Sequence, residues 1–192
     1  VYIKEIEFLN FKSFGKKVKI PFFDDFTTIS GPNGSGKSNI IDGILFALGL
    51  SNSRTMRAEK LTDLIYNQDS SSKPQYAQVK IRFDNSDREM PVDSDIVEIT
   101  RKIRETESGY YSYFYFNGKS VSLKDVHNYL AKAKVTPEGY NVVMQGDVTR
   151  IITMTPVERR KIIDEIAGVS EFDNKKERAM NEPETVREHT EW

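Results

Sequence analysis

Apolar and charged positions alternate twice within the first 21 residues. Ile6 and Phe8 stand against Glu5 and Glu7, and Val18 and Ile20 against Lys17 and Lys19. A period of two places one set on each face of a strand, so an antiparallel pair is expected here. The loop between them carries Lys12, Ser13, Gly15 and Lys16. Pro21 and Asp24-Asp25 turn the chain, and Phe26-Thr27-Thr28-Ile29-Ser30 reads as a further short strand. The period then changes. Ile40, Ile41, Ile44, Leu45 and Leu48 recur at helical spacing, and Gly49 is placed to end the helix.

Beyond a polar stretch at 51–57, Leu61, Leu64 and Ile65 suggest a short helix, and a serine-rich loop follows from Gln68 to Pro74. Ala77, Val79, Ile81 and Phe83 then alternate with Gln78, Lys80 and Arg82, and residues 96–103 and 110–116 read as further strands. Asn117-Gly118 between β-forming residues is a hairpin signal, because both turn positions need positive φ. Ser122 with Asp125 caps a helix carrying Leu123, Val126 and Leu130. Asn141 to Asp147 gives four β-compatible residues and then a polar break. Thr155-Pro156-Val157-Glu158 is a second capping box with proline at the first helical position, and Ile162, Ile163, Ile166 and Val169 supply an apolar face. From Asp173 the chain is highly charged.

Between the predicted strand 26–30 and the first helix lies Gly31-Pro32-Asn33-Gly34-Ser35-Gly36-Lys37-Ser38, the pattern of a phosphate-binding loop. Glycines let successive N–H groups turn inward onto phosphate oxygens, and the following helix adds its own free N–H groups at the same spot. Lys37 is placed for the β- and γ-phosphates and the Ser38 hydroxyl for Mg²⁺. About one chain of this length in a hundred would carry the four fixed positions by chance. The order strand, glycine loop, helix is therefore what makes the assignment. A doubly wound domain would continue β-α-β-α. Here an antiparallel meander follows, which is the plan of ABC-type ATPases. The fold class expected is α/β, an ABC-type P-loop ATPase lobe with an antiparallel β layer beside the P-loop core, ending in the start of a coiled-coil helix. Ile162-Ile163-Asp164-Glu165 imitates the acidic end of a Walker B strand. It lies inside a capped helix, so no catalysis is assigned to it.

Composition narrows the class further. The 192 residues include 28 basic and 29 acidic side chains, so no global basic field points to nucleic acid. There is no cysteine, which removes disulfides and thiolate metal sites, and the two histidines, His127 and His189, are far apart. No apolar run approaches the ~20 residues of a membrane span, and no signal peptide is visible. A cytoplasmic, nucleotide-using protein is the expectation.

Five blocks carry a resemblance: Phe11-Lys12-Ser13-Phe14, Gly31 to Asp42, Ser53 to Ile65, Asn141 to Asp147, and Thr155 to Val169. Over residues 2–182 the chain resembles the N-terminal half of an SMC (structural maintenance of chromosomes) ATPase head of the archaeal and prokaryotic type. The resemblance implies ATP and Mg²⁺ as cofactors. It places Gly31, Pro32, Asn33, Gly34, Ser35, Gly36, Lys37, Ser38 and Asn39 on the nucleotide, and Lys12, Ser13, Asp63 and Leu64 beside ribose and base. Gln145 matches the glutamine that helps hold Mg²⁺ and the attacking water, and Arg57 the arginine that couples DNA to hydrolysis. Lys37, Gln145 and Arg57 are thus the catalytic set, with Ser38 and Gln145 on the metal. Lys60, Arg101, Lys102, Arg104 and Lys119 are implied to help form a DNA-facing surface, through backbone contacts of low sequence specificity.

The family's signature motif and Walker B carboxylates do not appear in the sequence. In SMC proteins they lie beyond a coiled coil and hinge, so this chain is expected to be half a head, unable to turn over ATP alone. Residues 1–172 would form the lobe and 173–182 the start of a coiled-coil neck. Pro183 breaks that helix, so 183–192 is expected to be a truncation point or an appended tail. The implied partners are the C-terminal half of the same head, a second head in a homodimer, a kleisin subunit and DNA, with nucleoid-associated, cytoplasmic location and no membrane. Rival readings are a double-strand-break repair ATPase, separated by the hinge type in the full gene, a transporter's nucleotide-binding subunit, and a regulatory module that binds ATP without using its hydrolysis.

Overall fold

The computed structural model describes residues 1–24, 26–50, 60–67, 73–135, 149 and 152–167. The chain divides into two units, Val1–Pro137 and Glu138–Trp192.

In the first unit, β1 (Tyr2–Leu9), β2 (Val18–Pro21), β3 (Tyr76–Asp84), β4 (Ile96–Thr106), β5 (Gly109–Phe116) and β6 (Lys119–Val121) form a six-stranded antiparallel sheet in the order β2-β1-β3-β4-β5-β6. The register aligns the alternating apolar positions. Ile6 lies opposite Ile20 and Ile81, Phe8 opposite Val18 and Val79, and Ile81 opposite Ile99. One face is therefore apolar, and Ile6, Phe8, Val79, Ile81 and Ile99 are fully buried on it. The other face is laced by ion pairs. Arg82 reaches Glu5 at 2.9 Å and Glu98 at 2.5 Å, partners on the two flanking strands.

The apolar face is covered by α1 (Lys37–Ala47), α2 (Leu123–Lys132) and a 3-10 turn at Leu61–Leu64. α1 packs on β3 and β4. It approaches β1 so closely at Gly43 that a Cβ there would stand 2.2 Å from Cε1 of the fully buried Phe8. Its C-terminus closes with paired bonds, Gly49 N–H to the Phe46 carbonyl at 3.1 Å and Leu50 N–H to the Leu45 carbonyl at 2.9 Å, a Schellman closure. α2 begins with reciprocal bonds between Ser122 and Asp125, at 3.1 and 3.0 Å. It buries Val126 and Leu130 and stacks Tyr129 on Phe116 at 4.1 Å. The β5–β6 hairpin turns at Asn117 and Gly118, with φ of 47° and 80°.

In the second unit, α3 (Pro156–Ile166) begins at the expected capping box. Glu158 Oε2 accepts the Thr155 N–H at 2.8 Å, and Thr155 Oγ1 accepts the Glu158 N–H at 3.4 Å. Asp164 lies on this helix and pairs with Arg160 one turn earlier at 3.8 Å, as an ordinary helix-surface acid does. Ile162 is buried but Ile163 is exposed, so the apolar face is narrower than its isoleucines suggest.

One expected element is missing. Residues 26–30 form no strand. Phe26 is 85% exposed and Ile29 37%. Their composition suits a strand, but no described strand pairs with them, and a strand exists only with a partner. Among the described residues no helix is long and apolar enough to cross a membrane.

Gly43→Ala should lower stability by about 1–2 kcal/mol, because overpacking against Phe8 outweighs the roughly 1 kcal/mol that alanine adds to a helix. Chemical denaturation of the purified protein measures it, and an unchanged midpoint would mean the ring yields freely.

Candidate nucleotide site

The glycine loop occupies Gly31–Gly36 and runs straight into α1. Gly36 is the cap residue at φ 92°, a left-handed conformation that a side chain would resist. Among the described residues no side chain caps the helix, and no acidic residue sits in its first turn. Its first N–H groups and positive dipole end thus face outward beside the exposed loop, an arrangement that favours an anion. Lys37 Nζ donates to the Gly31 carbonyl, so the ammonium folds back over the loop's own concavity. Ser35 N–H reaches the Pro32 carbonyl at 3.2 Å and Asn39 N–H the Gly36 carbonyl at 3.0 Å, fixing the curl. Pro32, Asn33, Gly34 and Ser38 are exposed.

A second turn is pressed against this loop. Phe11 and Phe14 exchange backbone bonds at 3.0 and 2.8 Å, which leaves Lys12 and Ser13 at the tip. Lys12 adopts φ 49°, unusual for a lysine. The conformation is held from below. Phe8 contacts Phe14 at 4.6 Å and Phe11 at 5.9 Å between ring centres, and Phe11 contacts Phe46 of α1 at 5.2 Å. It is held from the side by the Lys12 N–H bond to the Leu64 carbonyl at 2.7 Å. Asn39 Nδ2 donates to Ser13 Oγ at 2.8 Å, and Lys12 Nζ reaches Asp42 Oδ2 at 2.6 Å.

The structure thus brings Lys12, Ser13, Gly31–Asn39 and the 63–64 segment together. Within that segment, Asp63 is exposed and accepts the Lys60 N–H at 2.8 Å. The Leu64 side chain is fully buried, so its contribution is the carbonyl that fixes Lys12. Arg57, Gln145 and the 173–182 segment lie outside the described residues. Among the described residues no group of three or more His, Cys, Asp or Glu could hold a metal. The donors here fit a polyphosphate: free N–H groups, one ammonium and one hydroxyl at Ser38. That hydroxyl suits a Mg²⁺ ion that takes most of its other ligands from phosphate and water.

Asp42 was passed over by sequence reasoning. It is 3% exposed, although it is charged. The available signal is a lone acid in the isoleucine-rich stretch Asn39-Ile40-Ile41-Asp42-Gly43-Ile44. Of the cations expected on a DNA-facing surface, Lys60, Arg104 and Lys119 are exposed, and Lys102 covers the Tyr76 ring at 4.4 Å. Arg101 is turned inward between the Phe46 and Phe114 rings, at 4.5 and 4.9 Å. It donates to the Phe46 carbonyl at 3.2 Å and to Ser112 Oγ at 3.1 Å. Burial pushes its pKa down to about 10, so it remains a cation at neutral pH, placed at the negative end of α1.

Comparison with known proteins gives the family. Residues 2–155 match the RecF/RecN/SMC N terminal domain, and the chain belongs to that family. Chromosome partition protein Smc of Pyrococcus furiosus is 45% identical over 190 residues, which cover 98% of this chain but 16% of that protein. The Pyrococcus furiosus Smc head domain with an extended coiled coil, solved bound to the C-terminal domain of ScpA, superimposes with a TM-score of 0.86 at 44% identity, covering 97% of this chain and 47% of that one. A structure from work on ATP-driven dimerization and DNA-stimulated activation of SMC ATPases matches with a TM-score of 0.77 at 44% identity, covering 86% of this chain and 99% of that one. The chain is thus the N-terminal region of an SMC head, of the ABC-type α/β class, and it spans about one sixth of its curated relative's length.

Arg101→Met should cost about 1–3 kcal/mol through the lost ring stacking and carbonyl bond, and Arg101→Lys should recover only part of it. Thermal denaturation of the two variants beside the parent protein reads the difference.

Proposed function

We propose that this chain binds ATP–Mg²⁺ as the N-terminal half of an SMC head and, joined to the C-terminal half and a second head, drives ATP-dependent head engagement that organises or segregates chromosomal DNA. The observation that carries this reading is the bare N-terminus of α1, framed by the glycine loop and by the Lys12–Ser13 turn. Loop N–H groups and Lys37 hold the phosphates, and Lys37 neutralises charge that develops on them. Ser38 and Gln145 would hold the metal, which would supply positive charge against the phosphate oxygens. Gln145 orients the attacking water, and Arg57 links DNA to hydrolysis.

The catalytic base and the signature residues come from the C-terminal half and the opposite head, so the chain alone does not turn over. Residues 1–172 form the lobe and 173–182 begin the neck. A kleisin subunit is a further partner, a proposal supported by the ScpA-bound head among the structural relatives. The complex works in the cytoplasm on the chromosome, where its DNA contacts are to backbone and weaken with salt.

Lys37→Ala in the full-length protein should weaken ATP binding by about 10–100-fold, the loss of charged hydrogen bonds to phosphate, and should abolish ATP-dependent head association. Calorimetry and sedimentation measure the two effects. Wild-type affinity in this variant would overturn the reading, as would appreciable Mg²⁺-dependent hydrolysis by the 192-residue chain alone for the claim that it does not turn over.

A further inference from the structure

The ion pair beneath the site is an expensive way to fasten a loop. Asp42 Oδ2 and Lys12 Nζ meet at 2.6 Å, with side chains only 4% and 16% exposed. Desolvating two charges costs free energy that a packed apolar pair of similar size would not. Apolar fastening is already abundant here, in the Phe8, Phe11, Phe14 and Phe46 cluster. What an apolar pair could not do is fix a cation beside the phosphate loop.

The geometry places that cation closely. Asn39 and Asp42 are three residues apart, so they share a face of α1. Asn39 takes Ser13 and Asp42 takes Lys12, so both tip residues are gripped by the helix whose N-terminus ends the glycine loop. Ser13 Oγ stands 3.3 Å from where a Cβ on Gly36 would lie, so the tip touches the loop itself. Asp42 follows Ser38 by four residues, one helical turn. Lys12 is therefore held about one turn from the phosphate-facing end of the helix, in a backbone conformation that the Leu64 carbonyl and the Phe11–Phe14 bonds already impose.

We propose that Asp42 is a positioning residue for the nucleotide site: through its buried pair with Lys12 it fixes that ammonium at the flank of the phosphate loop before a nucleoside triphosphate arrives. Asp42 touches no ligand, and its effect on the nucleotide passes through Lys12. The benefit is preorganisation, because a charge already in place needs no ordering on binding. This inference rests on the reading of the loop as an ATP site.

The test measures ATP affinity by calorimetry with Mg²⁺ in the full-length protein, beside thermal stability without nucleotide. Asp42→Asn keeps the shape and removes the charge, and should weaken ATP about tenfold, the usual effect of losing one charge-assisted contact. Lys12→Met should weaken it at least as much, and the double variant no more than Lys12→Met, if the effect of Asp42 on ATP passes through Lys12. Should Asp42→Asn fail to fold, the apolar pair Lys12→Met with Asp42→Leu replaces it. That pair should fold and still bind ATP about tenfold more weakly. A folded Asp42→Asn or apolar-pair variant with affinity within about twofold of the parent would overturn the proposal, as would single effects that multiply in the double variant. Failure of the parent protein to bind ATP, or a Lys37→Ala variant that binds it equally well, would instead overturn the reading of the site.

Discussion

The approach of α1 to the sheet at Gly43 is the contact on which the rest of the site depends. With no side chain at that position, helix backbone rests directly on the Phe8 ring. This fixes how deep the helix lies on the sheet, and so where its N-terminus emerges. Phe8 in turn contacts the Phe11 and Phe14 rings, which set the height of the Lys12–Ser13 tip. One close packing contact thus places both walls of the phosphate site in a common frame. A methyl group at Gly43 would disturb both walls together, although neither would lose a hydrogen bond.

The two ends of α1 are treated in opposite ways. At the C-terminal end, carbonyls are satisfied by the Gly49 and Leu50 N–H groups and by Arg101, whose charge also opposes the dipole. His127 adds a contact between Nε2 and the Gly49 carbonyl at 3.0 Å, tying α2 to the same end. At the N-terminal end no side chain among the described residues caps the helix. The uncapped end costs stability, and the well-closed end offsets part of it. The asymmetry is what a helix needs if its own unsatisfied groups are to serve as the binding surface.

Much of this was legible from the chain. Strict alternation at Ala77, Val79, Ile81 and Phe83 and the Asn117-Gly118 turn announced the antiparallel layer, because periodicity and turn chemistry are local. Both capping boxes, at Ser122 and Thr155, were legible for the same reason. The glycine loop and its helix were read from spacing, and Lys12 and Ser13 from a family resemblance. Three things were not visible. Phe26 to Ser30 has strand composition but lacks a described partner, and pairing is not a local property. Arg101 sits in a strand among other cations, and its inward turn depends on Phe46, which is distant in sequence. Asp42 is marked by no local pattern, because its partner Lys12 lies 30 residues away in the chain.

The margins of the sheet have a bearing on the order in which the molecule is made. β2 is four residues long and ends in Pro21, which has no N–H to offer, and β6 is three residues long. Lys17 precedes β2 and Lys19 lies within it, and both lean toward Glu7, at 3.7 and 3.9 Å. Short, charged and proline-ended margins discourage stray strands from adding to a sheet. Under the proposed reading this lobe leaves the ribosome before the half that completes it. Synthesis proceeds at about 5–20 residues per second, so the gap is long enough for encounters with other nascent chains. Blunt sheet margins would let the lobe stay unattached through that interval, with its phosphate loop already shaped.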